Sequence, residues 1–208
     1  MSGDDVWVLG IHMTKFGKHP DKDVVDLASE SVLGALADAD VSMADIGVIG
    51  AGNLMGASGG IGQQVQKQVG QTGIPVYNVV NACATGATAF RVAYLEIKAG
   101  EADLGLAFGV EKLAGAGLLG GAARADSGGG WTPRGRLGAV TGLEGHTGTG
   151  TMPGVFAQIG LDYAHRYGGA DFELFARIAE KNHAHSTLNP LAAHQKPMSA
   201  AHIGRVLG

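Results

Sequence analysis

Apolar residues follow two rhythms along this chain. Short runs dominated by Val, Ile, Leu and Ala occupy residues 6–11, 46–50, 76–80 and 104–110. Runs of this length without strict alternation predict strands covered on both faces. Between them, apolar residues recur every three or four positions, which predicts helices. Asp23 is placed to cap a helix carrying Leu27, Val32, Leu33 and Leu36 and ending near Asp40. A second helix is expected over residues 61–69. A third runs from about Ala84 to Ala99, with Gly100 as its C-terminal stop. Alternating buried strands and helices predict an α/β fold with a helix-covered, mostly parallel sheet.

The pattern changes after Glu111. Residues 113–150 are dense in Gly, with Ala, Ser, Thr and scattered Arg. That is too long for an ordinary connection and reads as a functional excursion. Helical spacing then returns over residues 153–167 and 171–185. Asp171 caps the latter, with Phe172, Phe175 and Ile178 on one face, and Ser199 starts another helix. Phe156, Ile159 and Tyr163 form a stripe expected to be core. The chain is therefore read as two parts, an α/β core at 1–112 and a Gly-rich then helical domain at 113–208.

Composition narrows the function. A chain of 208 residues, 45% hydrophobic and 16% charged, can bury a sizeable core. The net charge of -4, without a basic block, argues against nucleic acid or anionic membrane as partner. No apolar run approaches the ~20 residues that span a bilayer. The first residues lack the basic and apolar regions of a secretion signal, so a cytoplasmic protein is expected. The 36 glycines follow no collagen period, which favours close backbone packing. One cysteine excludes an internal disulfide framework and a multi-Cys zinc site.

That cysteine, Cys83, lies in "VYNVVNACATGATAF", where a buried strand gives way to a helix. Free N–H groups and the positive end of the helix dipole at such a turn stabilise a thiolate. Ala82, Ala84, Gly86 and Ala87 leave room for a substrate to reach the sulfur. Position alone is equally consistent with a buried structural thiol.

The segment from Thr72 to Phe90 resembles the nucleophile segment of thiolases, especially the sterol-carrier-protein and lipid-transfer-protein types. Residues 103–113, with Gly109, Glu111 and Lys112, look like the family's next strand and its Gly-x-Glu-Lys turn. Residues 175–186, with Asn189 and Pro190, are similar to a helix of its loop domain. The resemblance implies a thiolase-like fold with an inserted loop domain. It implies that Cys83 attacks the keto carbonyl of a 3-oxoacyl-CoA, so that the complete protein cleaves or forms a carbon–carbon bond through a Cys-linked acyl group. Coenzyme A is then a substrate, and no resident cofactor or metal is expected. The Gly-His loop, the second Cys and the further His motif of the family's second half are not found. The chain is accordingly expected to be the first part of a thiolase, inactive without the rest. A homodimer is implied, and a small zinc-containing acyl-CoA-binding partner is known among relatives. Two alternatives share the fold: a retro-aldolase acting on 3-hydroxyacyl-CoA, and a non-catalytic acyl-CoA-binding subunit.

Within the resemblance, Asn182 and His183 face substrate, and Arg134 is a candidate for coenzyme A phosphate. Arg124 and Arg136 share that excursion, and surface charge explains all three equally simply. Gly50, Gly52 and Gly56 nearly fit a dinucleotide turn, but the third glycine is one residue late and the acidic ribose partner is missing. Gly56, Ser58 and Gly60 fit a hydrolase elbow without the strand it needs. His183 and His185, two apart on a helix, point to different faces and make poor joint metal ligands. His146 comes too early for the family's Gly-His loop.

Overall fold

A computed structural model of the chain describes residues 5–56, 59–113, 134–135, 138–139 and 152–207. The chain divides into two units, Met1–Lys112 and Leu113–Gly208.

The first unit is organised around β1 (Val48–Gly52), every residue of which is buried. It pairs in parallel with β2 (Val76–Val79) on one side and β3 (Gly105–Gly109) on the other. The register sets Ile49 opposite Val76 and Leu106, and Ala51 opposite Asn78 and Phe108. Successive residues of a strand face opposite ways, so β1 serves two helix layers. Ile49 and Ala51 pack with Ala28, Val32 and Leu36 of α1 (Val24–Asp38) and Ile61 and Val65 of α2 (Ile61–Val69). The other face meets α3 (Thr85–Ala99), where Gly50 lies against Ala89 and Gly105 against Ala93. Burying each of Val32, Val48, Ile49 and Val65 stabilises the fold by about 1.5–3 kcal/mol.

Local chemistry sets the helix ends as expected. The Asp23 carboxylate accepts from the Asp26 N–H at 2.8 Å, and that of Asp26 accepts from the Asp23 N–H at 2.9 Å. This capping box satisfies donors that the first turn leaves free. Gly100 ends α3 in the left-handed region.

Three expectations for the first unit need correction. Residues 6–11 form no strand. They lie largely exposed beside α1, without regular secondary structure, with the Ile11 N–H donating to Asp38 Oδ2 at 2.8 Å and Gly10 close to Ala35 and Ala39. No described strand lies alongside to complete a ladder, so apolar composition alone does not make a strand. The strand expected at 46–50 begins two residues later, because the 3₁₀ turn Met43–Asp45 and its cap Ile46 come first. Leu33, grouped with Leu27, Val32 and Leu36 at helical spacing, is exposed where they are buried.

In the second unit, α5 (Phe172–Ser186) is capped by Asp171, whose carboxylate accepts from the Leu174 N–H at 2.8 Å. It packs with α6 (Ala200–Leu207), whose first turn donates the His202 N–H to Ser199 Oγ at 3.2 Å. Gly160 of α4 (Met152–Tyr167) faces the ring of Phe175. The stripe of Phe156, Ile159 and Tyr163 is not core. All three are exposed, as are Phe172 and Ile178, because nothing described in the unit covers those faces. Arg134 opens the two-residue strand β4 (Arg134–Gly135), paired antiparallel with β5 (Gly138–Ala139). Among the described residues, no helix is long and apolar enough to cross a membrane.

Candidate active site

The carboxyl ends of the three parallel strands point to one end of the sheet, the end where ligands gather in open α/β folds. From β2 the chain passes through Val80 and Asn81 into a 3₁₀ turn, Ala82–Ala84, and then into α3. Cys83 sits in the middle of that turn and is exposed. The helix start and the accessible thiol expected from the sequence are therefore both present, and the buried structural alternative does not apply.

The turn is strained and held. Ala82 has φ +44°, a conformation that costs a residue bearing a Cβ about 1–2 kcal/mol. Thr85, buried at the first helical position, spans the turn with its hydroxyl. Oγ1 accepts from the Asn81 N–H at 2.8 Å and donates to the Ala82 carbonyl at 2.7 Å. One turn later, Thr88 Oγ1 accepts from Asn81 Nδ2 at 3.0 Å and donates to the Ala84 carbonyl at 3.0 Å.

Glycines let this first turn sit directly on the sheet. A Cβ at Gly52 would lie 3.0 Å from both Cγ2 and the carbonyl oxygen of Thr85. A Cβ at Gly109 would lie 2.9 Å from Gly86 Cα. At these two positions close approach requires glycine. Farther along α3, the Glu96 carboxylate beside the Tyr77 hydroxyl of β2 holds the phenol above its usual range.

A second cluster fixes the loop after β1. Glu111 Oε2 accepts from the N–H groups of Leu54 at 2.9 Å and Met55 at 3.1 Å. Asn53 is buried. Its Nδ2 donates to the Val110 carbonyl at 2.8 Å, and its Oδ1 accepts from the Gly56 N–H at 2.6 Å. Lys112 Nζ donates to the carbonyls of His19, at 2.8 Å, and of Lys22. The Glu-Lys pair thus ties the loop after β1 and the entry to α1 to the end of β3. A cleft of about 460 Å³ opens beside it, lined by Asp23, Val24, Asn53, Met55, Glu111 and Lys112. Cys83 does not line this cleft.

The remaining candidates belong to the second unit. Asn182 is exposed on α5, and His183 is half-buried with its ring edge-on to His194 at 5.3 Å between centroids. Arg134 contributes its backbone to β4. These three are placed within their own unit, and Cys83 within the first. Arg124, Arg136, His146 and the Ser58 elbow lie outside the described residues. Gly50 and Gly52 lie inside β1 and pack against α3 instead of opening a helix, which leaves the dinucleotide turn without its geometry.

Sequence reasoning missed Asn53, Thr85 and the clamp made by Glu111. Their signal was present in part. Glu111 is a carboxylate at the carboxyl end of a buried strand, where it needs donors. Thr85 is a hydroxyl at a helix start, where such groups bond the backbone.

Comparisons with known proteins agree on the family. Residues 6–127 match the thiolase N-terminal domain family model. Sterol carrier protein 2 of Gallus gallus is 36% identical over 194 residues, covering 92% of this chain and 34% of that protein. An acetyl-CoA acetyltransferase of Methanothermobacter thermautotrophicus is 30% identical over 199 residues, covering 93% of this chain and 48% of that one. The solved structure titled Ltp2-ChsH2(DUF35) aldolase superposes with a TM-score of 0.63 at 22% identity, over 93% of this chain and 46% of that one. The chain thus spans about a third to a half of the relatives it matches. By the match over more than half its length and by the fold that carries Cys83, this chain belongs to the thiolase family.

Proposed function

We propose that Cys83 is the acyl-accepting nucleophile of a thiolase-type acyltransferase, active when the remainder of a full-length thiolase is supplied. The observation that carries this reading is the exposed thiol on a strained, hydroxyl-braced turn at the start of α3. The Cys83 thiolate adds to the keto carbon of a 3-oxoacyl-CoA. The bond between the alpha and beta carbons breaks, and its electron pair moves onto the departing thioester as an enolate. Protonation of that enolate gives acetyl-CoA or its alpha-substituted equivalent, and the shortened acyl group stays on Sγ as a thioester. The thiol of a second coenzyme A then attacks this thioester, gives up its proton, and restores the Cys83 thiolate. A carbon leaving group of this kind departs only when preorganised donors hold its charge. The matched relatives extend well beyond the span shared with this chain, and the residues that supply the protons are proposed to lie in such a further region.

Asn182, His183 and Arg134 are proposed to help place coenzyme A or the acyl chain. The working unit is proposed to be a two-fold dimer. A small zinc-containing acyl-CoA-binding partner is consistent with a structural neighbour whose title pairs it with a DUF35 protein. That neighbour is titled an aldolase, which favours one second reading: retro-aldol cleavage of a 3-hydroxyacyl-CoA, in which Cys83 is never acylated.

Thiolysis by the chain, isolated with its associated proteins intact, tests the assignment. Cys83→Ala is expected to lower the rate by at least about 10³-fold while leaving the circular dichroism spectrum unchanged. Normal thiolysis by that variant rejects the nucleophile, and cleavage of 3-hydroxyacyl-CoA without thiolysis selects the retro-aldolase.

A further inference from the structure

We infer that Thr85 is the positioning residue for Cys83, acting through the turn that carries the sulfur; the inference rests on the proposed role of that thiol. A hydroxyl offers one donor and two acceptor sites. Thr85 uses both kinds of bond on backbone groups of Asn81 and Ala82, the two residues that precede Cys83. It accepts from the Asn81 N–H at 2.8 Å and donates to the Ala82 carbonyl at 2.7 Å. These bonds grip the chain on either side of the one alanine held at φ +44°. Without them that residue gains by relaxing to negative φ, and the relaxation redirects the following Cys83.

The rest of the side chain has a separate task. Thr85 is buried, and its Cγ2 lies where it would meet any Cβ placed on Gly52 at 3.0 Å. The methyl therefore packs the helix onto β1, and the hydroxyl sets the turn. Serine keeps the hydroxyl and loses the methyl. Valine keeps the shape and loses both hydrogen bonds. The two substitutions consequently separate packing from positioning.

The protein's single cysteine makes the readout unambiguous, because iodoacetamide labelling followed by intact mass reports on Cys83 alone. Alkylation proceeds through the thiolate, so its rate reports on how the turn presents the sulfur. In the full chain, Thr85→Val is expected to alkylate about tenfold more slowly than the parent at fixed pH, and Thr85→Ser within about twofold of it. Thr85→Ser is expected to lower the melting temperature while keeping the rate. A merely structural role predicts the reverse: an exposed thiol whose rate stays constant or rises as the turn loosens. If Val at 85 blocks folding, Thr85→Ala takes its place, since Ser and Ala differ there by the hydroxyl alone. Equal rates for the hydroxyl-bearing and hydroxyl-free variants overturn the inference. Treating the same proteins with an acyl-CoA keeps the two readings apart. A parent chain that shows the alkylation pattern but accepts no acyl group, even with its partners present, rejects the acyltransferase and leaves the positioning role standing.

Discussion

Two stretches of similar apolar character meet opposite fates. β1 is flanked on both edges by parallel strands and covered on both faces by helices, and Val48 and Ile49 are each 1% exposed. Residues 6–11 carry Val, Trp, Val, Leu and Ile, yet Trp7 is 67% and Ile11 74% exposed. The difference is partnership. A strand is stabilised by cross-strand pairs and ladder hydrogen bonds that no segment can make alone. β1 finds these on both sides, whereas residues 6–11 find, among the described residues, the flank of α1, through Ile11 and Asp38.

The contrast can be broken most forcefully at its core. Ile49→Ala is expected to destabilise the protein by about 3 kcal/mol, because the cavity lies between a fully paired strand and two helices. Leu9→Ala is expected to change stability by less than about 0.5 kcal/mol. Urea unfolding followed by circular dichroism measures both, and comparable losses would mean that residues 6–11 are as integral as β1. A smaller effect is expected where the ladder meets α3. Gly109→Ala sets a methyl against the Gly86 backbone and should cost about 2 kcal/mol. It should also slow labelling of Cys83, because the displaced turn carries the thiol. The smallest effect lies at the outer strand. Tyr77 of β2 has its phenol raised by the neighbouring Glu96 carboxylate. That contribution is present below the ordinary tyrosine range and is lost as pH rises through the raised value, above about 10. Tyr77→Phe should flatten this alkaline loss of stability, as seen in melting temperature against pH.

Much of the helical structure of both units was legible because its signals are local. The Asp23 and Asp171 caps, the helix at Ile61–Val69 and the Gly100 stop each depend on residues within a turn or two. Strand pairing depends on distant chain, which is why residues 6–11 were misread and the start of β1 was displaced by a short 3₁₀ turn. The stripe of Phe156, Ile159 and Tyr163 shows the same limit: helical spacing identifies an apolar face without saying what covers it. At the site, Cys83 stood out as a thiol at a strand-to-helix junction. Asn53, Glu111 and Thr85 did not, because their meaning lies in backbone groups that only folding brings within reach. Glu111 bonds amides 56 and 57 positions away in sequence. The strain at Ala82 carries no sequence mark, since alanine is ordinary at most other positions.

The central claim is that Cys83 accepts an acyl group, and the most direct measurement is peptide mass spectrometry after exposure to a 3-oxoacyl-CoA with no free coenzyme A added. The protein, isolated with its native partners, should carry the shortened acyl group as a thioester on the peptide containing Cys83, and added coenzyme A should remove it. Consumption of the substrate with Cys83 unmodified at every time point, or an acyl group found on any other residue, would contradict the account.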